Sequence, residues 1–196
     1  MVPEKLVDGG VNDLALGWGY CLFTKGSQEP ADEGLWVTGN NEWGQLGDGT
    51  NEDKNTFTQI IESGVKEISA SSSHSLILKE DGSLWATGYN GWGQLGDGTN
   101  ENRNTFIQII ESGVKEISAA CYYSLILKED GSLWATGYNV WGQLGDGTNE
   151  DKNTFTQIFE SGVREFAVGF TSSHILKGEE YDQQPIWLSI DQNQGS

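Results

Sequence analysis

The chain is short of positive charge, proline and cysteine, and each shortage removes a class of explanation. Eleven Lys and Arg stand against 29 Asp and Glu, a formal net charge of −18. Phosphate backbones and anionic lipid surfaces are held by Lys and Arg, so this balance argues against nucleic acid and against membrane as partners. An acid excess keeps a chain soluble by self-repulsion and gives it a field that draws basic partners. Cys21 and Cys121 are the only cysteines and lie in different repeats, which excludes a disulfide framework. With 3 prolines, the turns fall to the 27 glycines. No apolar run approaches the ~20 residues of a membrane-spanning helix. The opening MVPEKLVDGG carries acids where a secretory leader would be apolar. If Met1 is the natural start, the expected location is the cytoplasm.

What the chain does have is repetition. Trp36, Trp85 and Trp134 are spaced 49 residues apart, and so are Trp43, Trp92 and Trp141. Each unit holds four strand-like runs: VKEISA (65–70, run A), HSLILK (74–79, run B), SLWATGY (83–89, run C) and, ahead of these, FTQII (57–61, run D). ESG and EDG between runs read as tight turns, and the long NGWGQLGDGTNENRNT joins C to the next D. Four short antiparallel strands in about 50 residues, repeated, is the arithmetic of a propeller blade. The expected units are 11–61, 65–110, 114–159, and 163–190 completed by 2–7, within one domain of residues 1–196. The N-terminal PEKLVDGGV aligns with a D run and would close the last blade. The alternative is a partial propeller that closes by oligomerisation.

GYNGWGQLGDGT, with ISAxxxHSLILKEDGSLWATG before it, resembles the RCC1 (regulator of chromosome condensation) repeat, of the bacterial type, over nearly the whole chain. The resemblance implies an all-β propeller. Family members usually have seven blades, and this chain has four. It also implies binding rather than catalysis: members include a guanine-nucleotide exchange factor for a small GTPase, and related propellers inhibit β-lactamases through loop aromatics.

The repeated loop reads as scaffold. Its glycines suit positive φ, Gln45, Gln94 and Gln143 can bond backbone, and Leu46, Leu95 and Leu144 can pin the loop to the blade. Asp48, Asp97 and Asp146 stand too isolated for a calcium loop, which converges several oxygens at close spacing. No metal and no cofactor is expected. The copies differ most at the A–B link: GWGY (17–20), SSSH (71–74), ACYY (120–123) and GFTS (169–172). In an antiparallel blade the A–B and C–D links share one face. That face is expected to carry Trp18, Tyr20, Trp43, Trp92, Tyr122, Tyr123, Trp141 and Phe170 as partner-binding residues, since Trp and Tyr are enriched at the energetic centres of interfaces. The tryptophans of run C, Trp187 among them, are expected in the core.

Nothing specifies a nucleophile with its base, and no phosphate loop or zinc helix is present, so no enzyme is expected. His74 and His174 do not form a pair. The leading expectation is a non-enzymatic protein–protein interaction module. Alternatives are a self-assembling repeat protein, an exchange-factor-like regulator or enzyme inhibitor on the family's pattern, and a glycan or small-ligand site on the tryptophans.

Overall fold

A computed structural model describes residues 10–26 and 34–178, and the backbone of 186–189. The N-terminal strand expected to close the last blade lies outside the described residues, as does the side chain of Trp187. The fold is all-β. Blade 1 is built from β1 (Val11–Leu16), β2 (Tyr20–Lys25), β3 (Gly34–Gly39) and β4 (Lys54–Ile61). Blade 2 comprises β5 (Val65–Ala70), β6 (His74–Lys79), β7 (Leu84–Gly88) and β8 (Arg103–Ile110). Blade 3 comprises β9 (Val114–Ala119), β10 (Tyr123–Lys128), β11 (Leu133–Gly137) and β12 (Lys152–Phe159). Blade 4 is described as β13 (Val163–Val168), β14 (Ser173–Lys177) and β15 (Ile186–Ser189). Each sheet runs antiparallel in chain order.

The outer strand of a blade starts three residues before the FTQII-type run. Gly39 pairs with Lys54 across a bulge, and the Thr38 hydroxyl donates to the Lys54 carbonyl at 2.9 Å. The polar Lys-Asn-Thr lead-in thereby becomes strand, held by backbone pairing rather than by burial.

Alternation along the strands gives every blade two apolar flanks. Leu22, Leu35, Val37 and Leu46 of blade 1 pack on Val65, Ile68 and Ile77 of blade 2. Leu76, Leu84, Ala86 and Leu95 of blade 2 meet Val114, Ile117 and Ile126 of blade 3 in the same manner. Leu125, Leu133, Ala135 and Leu144 of blade 3 then meet Val163 and Ile175 of blade 4. Deleting one such leucine side chain costs about 2–5 kcal/mol, against about 1 kcal/mol for a hydrogen bond, so apolar burial dominates each seam.

The GQLGDG loop clamps each seam. Leu95 is fully buried. Ser124 of blade 3 donates to the Gln94 carbonyl at 2.7 Å, and Thr136 to the Gly93 carbonyl at 2.9 Å. The loop itself is wired around a buried asparagine. Asn90 Oδ1 accepts the Leu95 N–H at 3.0 Å, while its Nδ2 donates to Asp97 and to the Thr99 carbonyl. Asn41 and Asn139 repeat this pattern. Gln45 Oε1 accepts the Trp43 N–H at 2.9 Å. Burial works against an ionised Asp97. The Arg103 guanidinium, Thr99 and Asn90 outweigh it and hold its carboxyl below the usual range. The Asp-Gly-Thr turn bonds to itself: Thr99 N–H and hydroxyl both donate to Asp97 Oδ1.

Candidate functional site

The A–B and C–D loops come together on one face and enclose a cleft of about 730 Å³. That is a volume suited to a ligand or to several side chains, since binding pockets run roughly 300–1,000 Å³. Trp18, Tyr122 and Phe170 reach it from A–B loops, and Trp43, Trp92 and Trp141 from C–D loops. Trp18 is 79% exposed, Phe170 70% and Trp141 62%. Large aromatics are held open to water at a place where all four blades converge.

Local chemistry explains the positions. The A–B turns are short: the Gly17 N–H donates to the Tyr20 carbonyl at 3.0 Å, and Ala120 N–H to the Tyr123 carbonyl at 2.9 Å. At the tip of so short a link Trp18 stays largely exposed, while Tyr122 is covered in part by neighbouring rings. The C–D tryptophans follow another rule. Trp43 lies edge-on to Tyr89 of the next blade at 5.0 Å, and Trp92 against Tyr138 at 4.9 Å. They pack between blades and line the cleft at once. The line of rings continues from Tyr138 to Tyr122 at 6.3 Å and on to Phe170 at 6.4 Å.

Two residues expected on this face stand elsewhere. Tyr20 and Tyr123 are buried. Alternation turns them into the seam, where the Tyr20 hydroxyl donates to the His74 carbonyl at 2.7 Å and the Tyr123 hydroxyl to the Ser172 carbonyl at 2.7 Å. Three tryptophans of run C also depart from expectation. Trp36, Trp85 and Trp134 are half-buried rather than core. Lys79 sits 4.3 Å from the Trp85 ring centre, and Lys128 4.1 Å from that of Trp134, so a lysine covers each ring.

Tyr89 and Tyr138 were not singled out in the sequence, although each precedes a cleft tryptophan by three residues. Blade 1 has Asn40 at that place, whose Oδ1 accepts from Gln45 Nε2 at 2.6 Å. With tyrosine there instead, Gln94 Nε2 is buried without a hydrogen-bond partner. Ser72, Ser73 and Cys121 complete one wall. Ser72 Oγ donates to the Cys121 carbonyl at 3.0 Å, whereas the buried Ser73 Oγ has no partner.

Behind this wall His74 joins two serines. Its Nδ1 is 2.7 Å from Ser71 Oγ and its Nε2 2.9 Å from Ser124 Oγ. The ring and Ser124 are shut off from solvent, and burial drives the imidazole down to about 3. The arrangement is a buried hydrogen-bonded strut between blades 2 and 3. Among the described residues no cluster of His, Cys, Asp and Glu suits a metal ion, and no helix is long and apolar enough to cross a membrane.

Charge is divided between the two faces. The turns opposite the cleft carry Glu62, Glu80, Asp81, Glu111, Glu129 and Asp130, all exposed. On the cleft face the A–B tips carry no charge. The C–D loops (40–54, 89–103, 138–152) hold nine carboxylates and three cations. Each cation is spoken for by its own loop: Lys54 by Asp48 at 2.8 Å, Arg103 by Asp97 at 2.6 Å, Lys152 by Asp146 at 3.4 Å.

Comparison with known proteins bears on the fold. Residues 32–78 and 81–127 match the family model described as the regulator of chromosome condensation (RCC1) repeat, and a second model of that description matches 65–94. No curated protein matches the chain. Yeast RCC1 (Prp20) bound to Kap60 superposes with a TM-score of 0.72 at 18% identity, over 87% of this chain and 43% of that one. Prp20p from Saccharomyces cerevisiae, described with its binding properties to Gsp1p and histones, gives 0.66 at 20% identity over 81% and 41%. Human WBSCR16 gives 0.70 at 18% identity over 88% and 60%. The chain thus spans between 41% and 60% of the length of these structures. At such identities the likeness is one of fold.

Proposed function

Because the chain belongs to the RCC1-repeat family, we propose that it is a protein-binding module that acts without catalysis, through the aromatic cleft formed by its A–B and C–D loops. The observation that carries this reading is the exposure of Trp18, Trp141 and Phe170 around one cleft on a scaffold whose seams are packed. Blade 2 supports it by contrast. Its A–B link, Ser71-Ser72-Ser73, folds without any aromatic, so the aromatics of the other links answer to something besides folding. The fold relatives support the class of function, because yeast RCC1 was solved bound to Kap60 and Prp20p is described as binding Gsp1p and histones. Nucleotide exchange and enzyme inhibition are activities within the family, and no residue here singles out either.

The test compares the wild-type chain with Trp18→Ala/Tyr122→Ala/Phe170→Ala. These side chains leave the seams intact, so the variant should melt within a few degrees of wild type. A partner captured by wild type from the native source should bind the variant about a hundredfold more weakly or worse. Equal binding would move the working surface to the acidic face.

A second reading, self-association, rests on one specific observation. Val11, Leu14 and Leu16 of β1 occupy the places of Val65, Ile68 and Ala70, which pack on the preceding blade. In blade 1 they are exposed, Leu14 by 54% and Leu16 by 69%. This flank is built to seat on a blade, and a second copy of the chain supplies one. Sedimentation should then show a dimer or larger species that Leu14→Glu/Leu16→Glu returns to monomer. A monomeric wild type at tens of micromolar removes this reading.

A further inference from the structure

Resting on the binding-module reading above, we propose that the cleft receives a cationic side chain, lysine or arginine, from a basic segment of the partner protein. Three observations converge on it. The first is that the cleft is lined by aromatic rings and by Ser, Thr, Cys and Gln, with no charged residue among the lining. Such a wall offers ring faces and neutral polar groups without a counter-charge. A cation over a ring face is attracted by the ring quadrupole, most strongly by tryptophan and most strongly when desolvated. A sugar also stacks on such rings, so an uncharged oligosaccharide is the competing ligand in the test below.

Charge on the loops that form the cleft is the second. The C–D loops that bring in Trp43, Trp92 and Trp141 carry nine carboxylates against three cations. Each cation is already bound to its own loop aspartate. Glu101 and Glu150 remain 80% and 84% exposed at the side chain, their nearest cations 3.8 Å away. Unneutralised carboxylates on the loops that supply the cleft's tryptophans draw cations toward this part of the protein, and the uncharged aromatic lining can then take them up. An anionic side chain would meet the opposite on both counts.

The third is a precedent in the same chain. Lys79 lies over the Trp85 ring at 4.3 Å and Lys128 over the Trp134 ring at 4.1 Å, so this fold already seats lysine on tryptophan.

The experiment titrates the folded chain with a nine-residue peptide holding three arginines, with its citrulline counterpart of the same shape and no charge, and with maltohexaose. Each is followed by tryptophan fluorescence at 50 and 200 mM salt, in wild type and in Trp43→Leu/Trp92→Leu. The arginine peptide should bind at least about tenfold tighter than the citrulline peptide, and the double variant should lose about tenfold or more of that affinity. Equal affinity for arginine and citrulline peptides, still dependent on Trp43 and Trp92, overturns the cation while leaving the binding face standing. Arginine binding indifferent to the two tryptophans places the attraction in the acidic field and overturns the cleft itself. Binding of maltohexaose alone, or of none of the three, also overturns the proposal.

Discussion

Gly96→Ala is expected to lower the stability of the chain by about 3 kcal/mol, whereas Gly98→Ala and Gly147→Ala should each cost about 1 kcal/mol. All three glycines have φ in the left-handed region, at +75°, +82° and +81°. A Cβ there carries a strain of about 1–2 kcal/mol wherever it occurs. The positions differ in what the new methyl would meet. At Gly96 it would stand 2.6 Å from a ring carbon of Phe155 in the next blade. At Gly98 the nearest atom is the Thr154 methyl at 3.8 Å, and at Gly147 nothing lies within 4 Å. The difference between the substitutions therefore isolates the contact that clamps blade 2 to blade 3. Urea unfolding of the three variants measures it. Equal losses at all three positions would show that Phe155 yields freely and that the loop does not clamp the seam.

That the loop would be scaffold was legible in its repetition, and so were its glycines and its leucine. Its organising residue was not. Asn41, Asn90 and Asn139 look like turn residues in a run of Asn and Gly, and only the path of the chain shows one buried side chain serving both ends of the loop. The four-strand blade was legible because a 49-residue period with alternating apolar strands admits few other folds. The candidate site was legible in part. Loop placement follows from antiparallel topology, so the cleft face and its exposed Trp18, Tyr122 and Phe170 could be read. Tyr20 and Tyr123 could not be separated from them by proximity to the loop, because each is the first residue of its strand and turns into the seam, whereas Trp18 and Tyr122 still belong to the turn. Tyr89 and Tyr138 were hidden by their apparent membership of a strand end. Their partners lie one blade away, and no local pattern encodes an edge-on contact over 46 residues.

His74 makes the acid response of the fold a test of its seams. Acidifying wild type from pH 6.5 to 4.5 should cost about 2 kcal/mol in all through this one ring, the slope steepening toward about 1.4 kcal/mol per unit. The imidazole is pushed to about 3 in the fold and titrates near 6.5 when unfolded, so the unfolded state takes up the proton first. Ser71 and Ser124 are its two side-chain partners and neither carries charge. Glu67 acts in the opposite sense. Burial, with Asp13 and Glu116 nearby, raises its carboxyl to about 7. The folded state therefore holds a proton that the unfolded state has released, and stability rises as pH falls from 7 toward 4.5. Glu67 is partly exposed, so its gain offsets only part of the loss at His74. Blades 1 and 3 place Tyr20 and Tyr123 where blade 2 has His74, so His74→Tyr is a substitution the fold already accommodates twice. In that variant the acid loss between pH 6.5 and 4.5 should vanish and leave the gain from Glu67. In Glu67→Gln the loss should steepen instead. Below pH 4.5 all three proteins should weaken as Asp48, Asp97 and Asp146, held below the usual carboxyl range, take up protons, and the two that keep His74 should go on losing through it until about pH 3. Unfolding midpoints at pH 7.5, 6.5, 5.5 and 4.5 distinguish these slopes. A His74→Tyr variant that loses stability as steeply as wild type in that window would mean that the ring is not sealed within the seam.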